Sequence, residues 1–290
     1  MGISERRYAS DGGPGGLGST RLVSFTTWLI GINAAVFVAG ALAPRFGSLL
    51  NAYGNFSTGS LIQHLEFWRV ITFQFLHANL LHMALNMFGL WVFGRMVEEY
   101  LGFKRYAALY LVCGIFGAVA YLILNGLGLL AAYFGMTEIP LLLYNSKSTP
   151  LVGASAGVFG VIMASAFIAP NAIIQLIFPP VTLKLRTVAY VYVGIAAFNL
   201  IVGGNNAGGD AAHLGGAAAG YFFIRNSHLL RDFFDVFTDS RKASAARKVE
   251  SERGEIDRIL SKVKDNGLQS LSESEKRALR RATERQRRAN

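Results

Sequence analysis

The sequence predicts an all-α polytopic membrane protein, a bundle of six transmembrane helices with a small helical C-terminal tail. Three observations predict it. Hydrophobic residues make up 52% of the 290 and charged residues only 16%, too apolar a balance for an ordinary soluble domain. The charges are segregated, with residues 226–290 holding 16 of the 28 Lys/Arg and 11 of the 18 Asp/Glu. Apolar runs near the length that crosses a bilayer, about twenty residues, recur along the rest of the chain.

Residues 1–21, "MGISERRYASDGGPGGLGSTR", are basic and rich in Gly and Ser, and read as a disordered cytosolic segment. The first span is expected over Leu22–Ala43. Ala41-Leu42-Ala43 has the small residues of a signal-peptide cleavage site, but the run is too long for a signal's apolar region and reads as a retained span. Residues 44–76, with Pro44, Gly47, Gly54, Gly59 and the pair Trp68-Arg69, are too polar to cross. They read as an interfacial loop with short amphipathic helices. Further spans are expected near Asn79–Val97, Tyr106–Leu130, Val152–Ala169, Leu183–Gly203 and Ala211–Ile224. The membrane domain is thus 22–225, and 226–290 is a charged helical tail. Lys/Arg asymmetry orients it: Arg6, Arg7, Arg21, Arg95, Lys104, Arg105, Lys184, Arg186 and Arg225 fall on one side, and only Arg45, Arg69 and Lys147 on the other. The positive-inside rule then places both termini in the cytosol. Two spans, Val152–Ala169 and Ala211–Ile224, are short. A short span can start below the surface at a water-filled cavity. Ser155 opens the first and His213 the second.

Polar groups in hydrocarbon cost free energy unless satisfied, so His77, His82, Asn86, Ser155, Asn199 and His213 each call for a reason. His77 and His82 are five apart, about 140° around a helix, and no H-E-x-x-H motif is present, so a metal site is not expected. Cys113 is the single cysteine, which excludes an intramolecular disulfide; in its apolar stretch it reads as an inert buried thiol. His82 and Asn86 are four apart on one face. They suit either interhelical hydrogen bonding or an oxyanion hole, where donors meet developing negative charge.

His213, Gly216 and Gly220 share a face, and Gly216-x3-Gly220 is a close-contact motif. Its natural partner is the small-residue face Gly153, Gly157, Gly160 and Ala164, which would bring His213 to Ser155 as a base to a nucleophile. Asp210, after "GGNNAGG", reads as an N-cap carboxylate rather than a third catalytic member. Phe159, one helical turn after Ser155, is the better candidate for holding the imidazole. Gly153–Gly157 also spells G-x-S-x-G, but a nucleophile elbow needs a preceding strand, and "LLLYNSKSTPLV" with Pro150 supplies none. From these residues alone Ser155 remains either a small packing residue or a nucleophile.

In order along the chain, Trp68-Arg69, His77-x4-His82-x3-Asn86, Gly153-x-Ser155-x-Gly157 and Ala212-His213-x2-Gly216-x3-Gly220 resemble the rhomboid family of intramembrane serine proteases, over roughly Leu22 to Arg225. The resemblance implies a catalytic dyad of Ser155 and His213 with no required aspartate, and an oxyanion site of His82, Asn86 and the Ser155 N–H. Gly153, Gly216 and Gly220 support it. Where many members have tyrosine, this chain has Phe159, which can stack on His213 but offers no hydroxyl. Inactive relatives lose the serine or histidine, and this chain keeps both.

The implied chemistry is acyl transfer without cofactor or metal: Ser155 attacks a peptide carbonyl, His213 moves the proton, and water hydrolyses the acyl-enzyme. The implied substrates are transmembrane segments of other proteins, which must unwind to expose a carbonyl. The implied setting is a lipid bilayer, a bacterial inner membrane, with no nucleic-acid partner. The tail reads as two short helices about Asn266-Gly267, with Ile256, Ile259, Leu260 and Val263 on one face and a Ser272/Glu275 capping box. It resembles the helical extension of some bacterial rhomboids, and its terminal arginines suit anionic lipid or a partner. Two other classes are a rhomboid-like protein that binds membrane helices without cutting them and a transporter. No clear inverted repeat or charged path points to the latter.

Overall fold

The structure, a computed structural model, describes residues 24–137, 139–175, 180–231, 233 and 235–280. The expectations for segment 1–21 and for the terminal arginines beyond Arg280 lie outside those residues. Helix α1 (Phe25–Leu42) begins where the Ser24 hydroxyl accepts the Thr27 N–H. Glu98 accepts the N–H groups of Phe25 and Thr26 at 2.6 and 3.0 Å, satisfying donors that a helix start leaves free. Pro44 opens α2 (Pro44–Gly54), where its fixed φ suits the first helical position. A reciprocal Ser57/Ser60 capping box starts α3 (Thr58–Ile62), and α4 (Arg69–Thr72) follows. These three helices lie in the stretch read as an interfacial loop.

Asn79 caps α5 (Leu80–Gly89) by accepting the His82 N–H. The helix continues through a π-turn, Leu90–Gly94, into α6 (Arg95–Leu101). Gly102, at φ 76°, breaks the chain before α7 (Phe103–Tyr133). Then come α8 (Ser155–Ile168), an antiparallel hairpin of β1 (Ile173–Gln175) and β2 (Thr182–Lys184), α9 (Leu185–Val202) and α10 (Ala207–Arg225). The hairpin is absent from the sequence reading, and its residues are too few to disturb the all-α class. Helix α10 begins at Ala207, four residues before the expected Ala211, because the glycines of "NNAGGD" are taken into its first turn.

Among the described residues four helical stretches are long and apolar enough to cross a membrane: Phe25–Leu42, Leu80–Leu101, Phe103–Tyr133 and Leu185–Val202. Ser155–Ile168 is a shorter apolar helix. Large apolar side chains such as Trp28, Leu85, Trp91, Phe198 and Ile201 lie exposed, a surface suited to lipid. The protein is an all-α polytopic membrane protein.

The chain divides into two compact units, one ending at Tyr221 and the other starting at Phe222. In the second unit α11 (Asp235–Asn266) is a single helix of 32 residues, where a short one was expected. Ile259 is buried on it while its neighbour Leu260 is exposed. Gly267 at φ 75° reverses the chain, and Ser272 and Glu275 make the reciprocal cap of a further helix, 273–280. The Ser272 N–H and the Lys262 ammonium hold the Glu275 carboxyl down at about 2.

Small residues set the packing of the first unit. A Cβ on Gly216 would strike the Ala156 carbonyl, and one on Gly220 the Gly160 carbonyl, so α10 and α8 meet backbone to backbone. Gly117 of α7 closes on Ala156 and Ala212 from the third side. Of the expected face Gly153, Gly157, Gly160 and Ala164, Gly160 does meet α10, but Gly157 turns away toward the Tyr110 ring of α7 and Ala156 takes its place in the contact. Gly216→Val should therefore lower the thermal unfolding midpoint in detergent by several degrees, since overpacking costs about 1–3 kcal/mol. Gly31→Ala, where no atom lies within 4 Å, is the control and should not lower it. Equal midpoints for the two variants would contradict this packing.

Candidate active site

Ser155 is the first residue of α8. The first N–H groups of a helix have no carbonyl partner within it, and they carry the positive end of its dipole. The serine hydroxyl therefore sits beside unengaged donors. The approach is held in place by three backbone ties. Phe56 and Leu151 exchange N–H···O bonds of 3.0 and 2.7 Å, and the Gly153 N–H donates to the Phe73 carbonyl at 3.0 Å. Behind them Asn125 donates to Thr58 Oγ1 at 2.8 Å and accepts the Asn145 N–H at 2.9 Å. Arg69, itself buried, bonds Glu66 and the carbonyls of Asn55 and Ala52, and Trp68 donates to the Tyr53 carbonyl. The Trp-Arg pair thus knots the loop whose ends carry Phe56 and Phe73.

His213 comes from α10, and its Nε2 lies 2.8 Å from Ser155 Oγ. The Phe159 ring stacks on the imidazole with centroids 4.3 Å apart and planes 5° from parallel. Tyr192 of α9 meets Phe159 edge-on at 6.0 Å. Asp210, one turn before His213, places Oδ1 3.4 Å from its Nδ1. Asp210 stands fourth in α10, so it is not the N-cap residue expected from the sequence; its own N–H already bonds the Asn206 carbonyl at 2.9 Å.

His82 and Asn86 line the same cavity, of about 1030 Å³, as Ser155 and His213. Gly153, at φ 134°, lets His82 close in: a Cβ there would lie 2.7 Å from His82 Cε1, 2.9 Å from its Nε2 and 3.5 Å from Ser155 Oγ. Asn86 Nδ2 donates to the His82 carbonyl at 2.9 Å, which leaves its second N–H to offer elsewhere. His77 packs edge-on against His82 at 5.2 Å, and neither of its ring nitrogens has a hydrogen-bond partner. Among the described residues no group of three or more His, Cys, Asp and Glu converges as a metal site.

The structure thus brings together Ser155, His213, Phe159, His82, Asn86 and Gly153. Gly216 and Gly220 stand behind them in the helix contact. Sequence reasoning missed Tyr192, one aromatic among many in an apolar helix, and set the Asp210 side-chain contact below a capping role because the start of α10 was misplaced. A hydroxyl held at hydrogen-bond distance from an imidazole can pass it a proton as it attacks. Helix N–H groups and neighbouring side-chain donors can meet the charge that develops.

Fold and site together define a polytopic helical membrane protein with a serine–histidine pair in a membrane-domain cavity. A family model of the rhomboid domain matches residues 64–226, and a family of unknown function matches 245–285. RHOMBOID-like protein 6, mitochondrial, of Arabidopsis thaliana is 36% identical over 72 residues, 25% of this chain and 24% of that protein. Rhomboid protease GluP of Bacillus subtilis (strain 168) is 28% identical over 164 residues, 56% of this chain and 26% of GluP. Rhomboid protease AarA of Providencia stuartii is 28% identical over 209 residues, 68% of this chain and 70% of AarA. The chain spans only about a quarter of the length of the first two. It belongs to the rhomboid family.

Gly153→Ala should push His82 away from Ser155. A positive-φ site costs a side chain about 1–3 kcal/mol, so the unfolding midpoint of the variant should fall by several degrees. A crystal structure of the folded, monodisperse variant should show the His82 ring drawn back from Ser155. A His82 ring left in place in Gly153→Ala would show that the bare Cα is not what admits it.

Proposed function

We propose that this chain is an intramembrane serine endopeptidase that cuts transmembrane segments of other membrane proteins through an acyl-enzyme. The observation that carries the reading is the 2.8 Å contact between Ser155 Oγ and His213 Nε2 at the head of α8. Ser155 attacks the scissile carbonyl, and His213 takes its proton and returns it to the leaving amine. The tetrahedral oxyanion is met by the Ser155 N–H, by His82 and by the free N–H of Asn86. Water then hydrolyses the ester. Phe159 holds the imidazole plane; having no hydroxyl, it acts by stacking alone.

The bilayer gives the substrate its form. A helix in hydrocarbon keeps its carbonyls hydrogen-bonded, so cleavage requires local unwinding, favoured by small or helix-breaking residues near the cut. We place six spans, the short helix α8 and the 19-residue α10 joining the four stretches above, with both termini in the cytosol of a bacterial inner membrane. Lys/Arg asymmetry supports that orientation. Ser155 then lies toward the outer side, where water enters, and the tail 226–290 takes no part in the chemistry.

A serine-reactive fluorophosphonate tests the reading. An unassisted hydroxyl is a poor nucleophile, so labelling at Ser155 requires a base. The wild-type chain should be labelled, and both Ser155→Ala and His213→Ala should lose the adduct while remaining folded. Absence of labelling in the wild type would favour a helix-binding protein without activity; labelling that survives Ser155→Ala would place the nucleophile elsewhere.

A further inference from the structure

We propose that Asp210 is a positioning residue for His213, its carboxylate facing Nδ1 so that the ring presents Nε2 to Ser155. This rests on the reading of His213 as the base of Ser155. It leaves the Ser155–His213 pair as the reacting groups and adds behind it a carboxylate from the same helix as the base.

The geometry points to it in three ways. Asp210 Oδ1 is 3.4 Å from His213 Nδ1, while Nε2 on the far side of the ring is 2.8 Å from Ser155 Oγ. The carboxylate and the hydroxyl thus occupy opposite nitrogens of one imidazole, as an orienting acid and a nucleophile must. Asp210 is also buried, 4% exposed, and its Oδ2 has no hydrogen-bond partner. A carboxylate serving the helix terminus would accept a backbone N–H, and among the described residues Oδ2 accepts none. Finally, the spacing of three residues puts Asp210 one turn before His213 on the same face, so the helix fixes their separation.

The chemical consequence concerns the proton. With a carboxylate at Nδ1, the neutral ring keeps its hydrogen there and leaves the Nε2 lone pair free to accept from Ser155. When His213 takes the serine proton, the resulting imidazolium gains an adjacent anion. The other titratable group facing His213 is His82 of α5. Helix α8 presents Ser155 and Phe159 to the ring, α9 presents Tyr192 across Phe159, and Tyr121 of α7 lies beside Gly208 at the start of α10. Asp210 is therefore the only carboxylate among the groups named around the base.

The test uses the full chain in nanodiscs and two readouts. Nitrogen chemical shifts of labelled histidine give the tautomer of His213 without reference to activity, and the fluorophosphonate labelling rate at neutral pH gives its performance as a base. Asp210→Asn should shift the neutral His213 ring from the Nδ1–H toward the Nε2–H tautomer and slow labelling of Ser155 about tenfold or more, because a base in the wrong tautomer cannot accept the serine proton. Asp210→Glu should restore the Nδ1–H tautomer and most of the rate. A merely structural carboxylate would lower the unfolding midpoint of Asp210→Asn and leave tautomer and rate in place, and that result would overturn the proposal. If the His213 tautomer responds as expected but the wild-type serine is never labelled, the nucleophile assignment fails while the Asp210–His213 pairing stands.

Discussion

The backbone contact between α8 and α10 is the constraint on which the rest of this structure depends. Gly216 rests against the Ala156 carbonyl and Gly220 against that of Gly160, leaving no room for a side chain at either point. In lipid there is no hydrophobic force to press helices together, so dispersion between closely fitted small residues has to supply the attraction. The same fit sets the offset between the head of α8 and the first turns of α10, and with it the Ser155–His213 distance of 2.8 Å. Gly117 and Gly215 of the adjoining contacts bring α7 in from the side, so the arrangement is held by three helices.

The second requirement is that polar groups sit where they are satisfied. The chain before α8 is fastened by the Phe56–Leu151 exchange and the Gly153–Phe73 bond, and Asn125 secures the segment behind. An irregular backbone at the edge of a membrane domain needs such partners, because each unsatisfied group there is costly. Gly153 then does two things at once. Its positive φ turns the chain into the helix, and its bare Cα admits the His82 ring beside Ser155. The buried Arg69, bonded to Glu66 and two carbonyls, keeps the opposite end of the loop in register.

Much of this was legible in the residue order because polar side chains in an apolar sequence are few. Ser155 and His213 stood out by where they occur, and the glycine spacing of α10 indicated a close partner. The details that escaped depend on phase and on helix ends. Whether Gly157 or Ala156 faces α10 turns on one residue of rotation, and a continuous run of small residues carries no phase. Asp210 reads as a cap only if the helix starts just after it; the start at Ala207 moves it inside, where its side chain reaches the histidine. The length of α11 escaped for the opposite reason, since a polar helix without an apolar stripe over its first half gives no periodic signal. Asn86, seen from sequence as aimed into the site with His82, spends one N–H on the carbonyl of His82.

The claim that helix approach sets the Ser155–His213 geometry is tested most directly by comparing the labelling rate of Ser155 in Gly220→Ala and Gly31→Ala, both in nanodiscs at a temperature where each is folded. Gly220 lies two turns from His213 and touches no atom of the site, whereas Gly31 faces open space. The predicted result is a rate about a hundredfold lower in Gly220→Ala, as expected for a displacement near 1 Å, and an unchanged rate in Gly31→Ala. Equal rates in two folded variants would show that the serine and histidine find each other without the glycine contact, and would contradict the account.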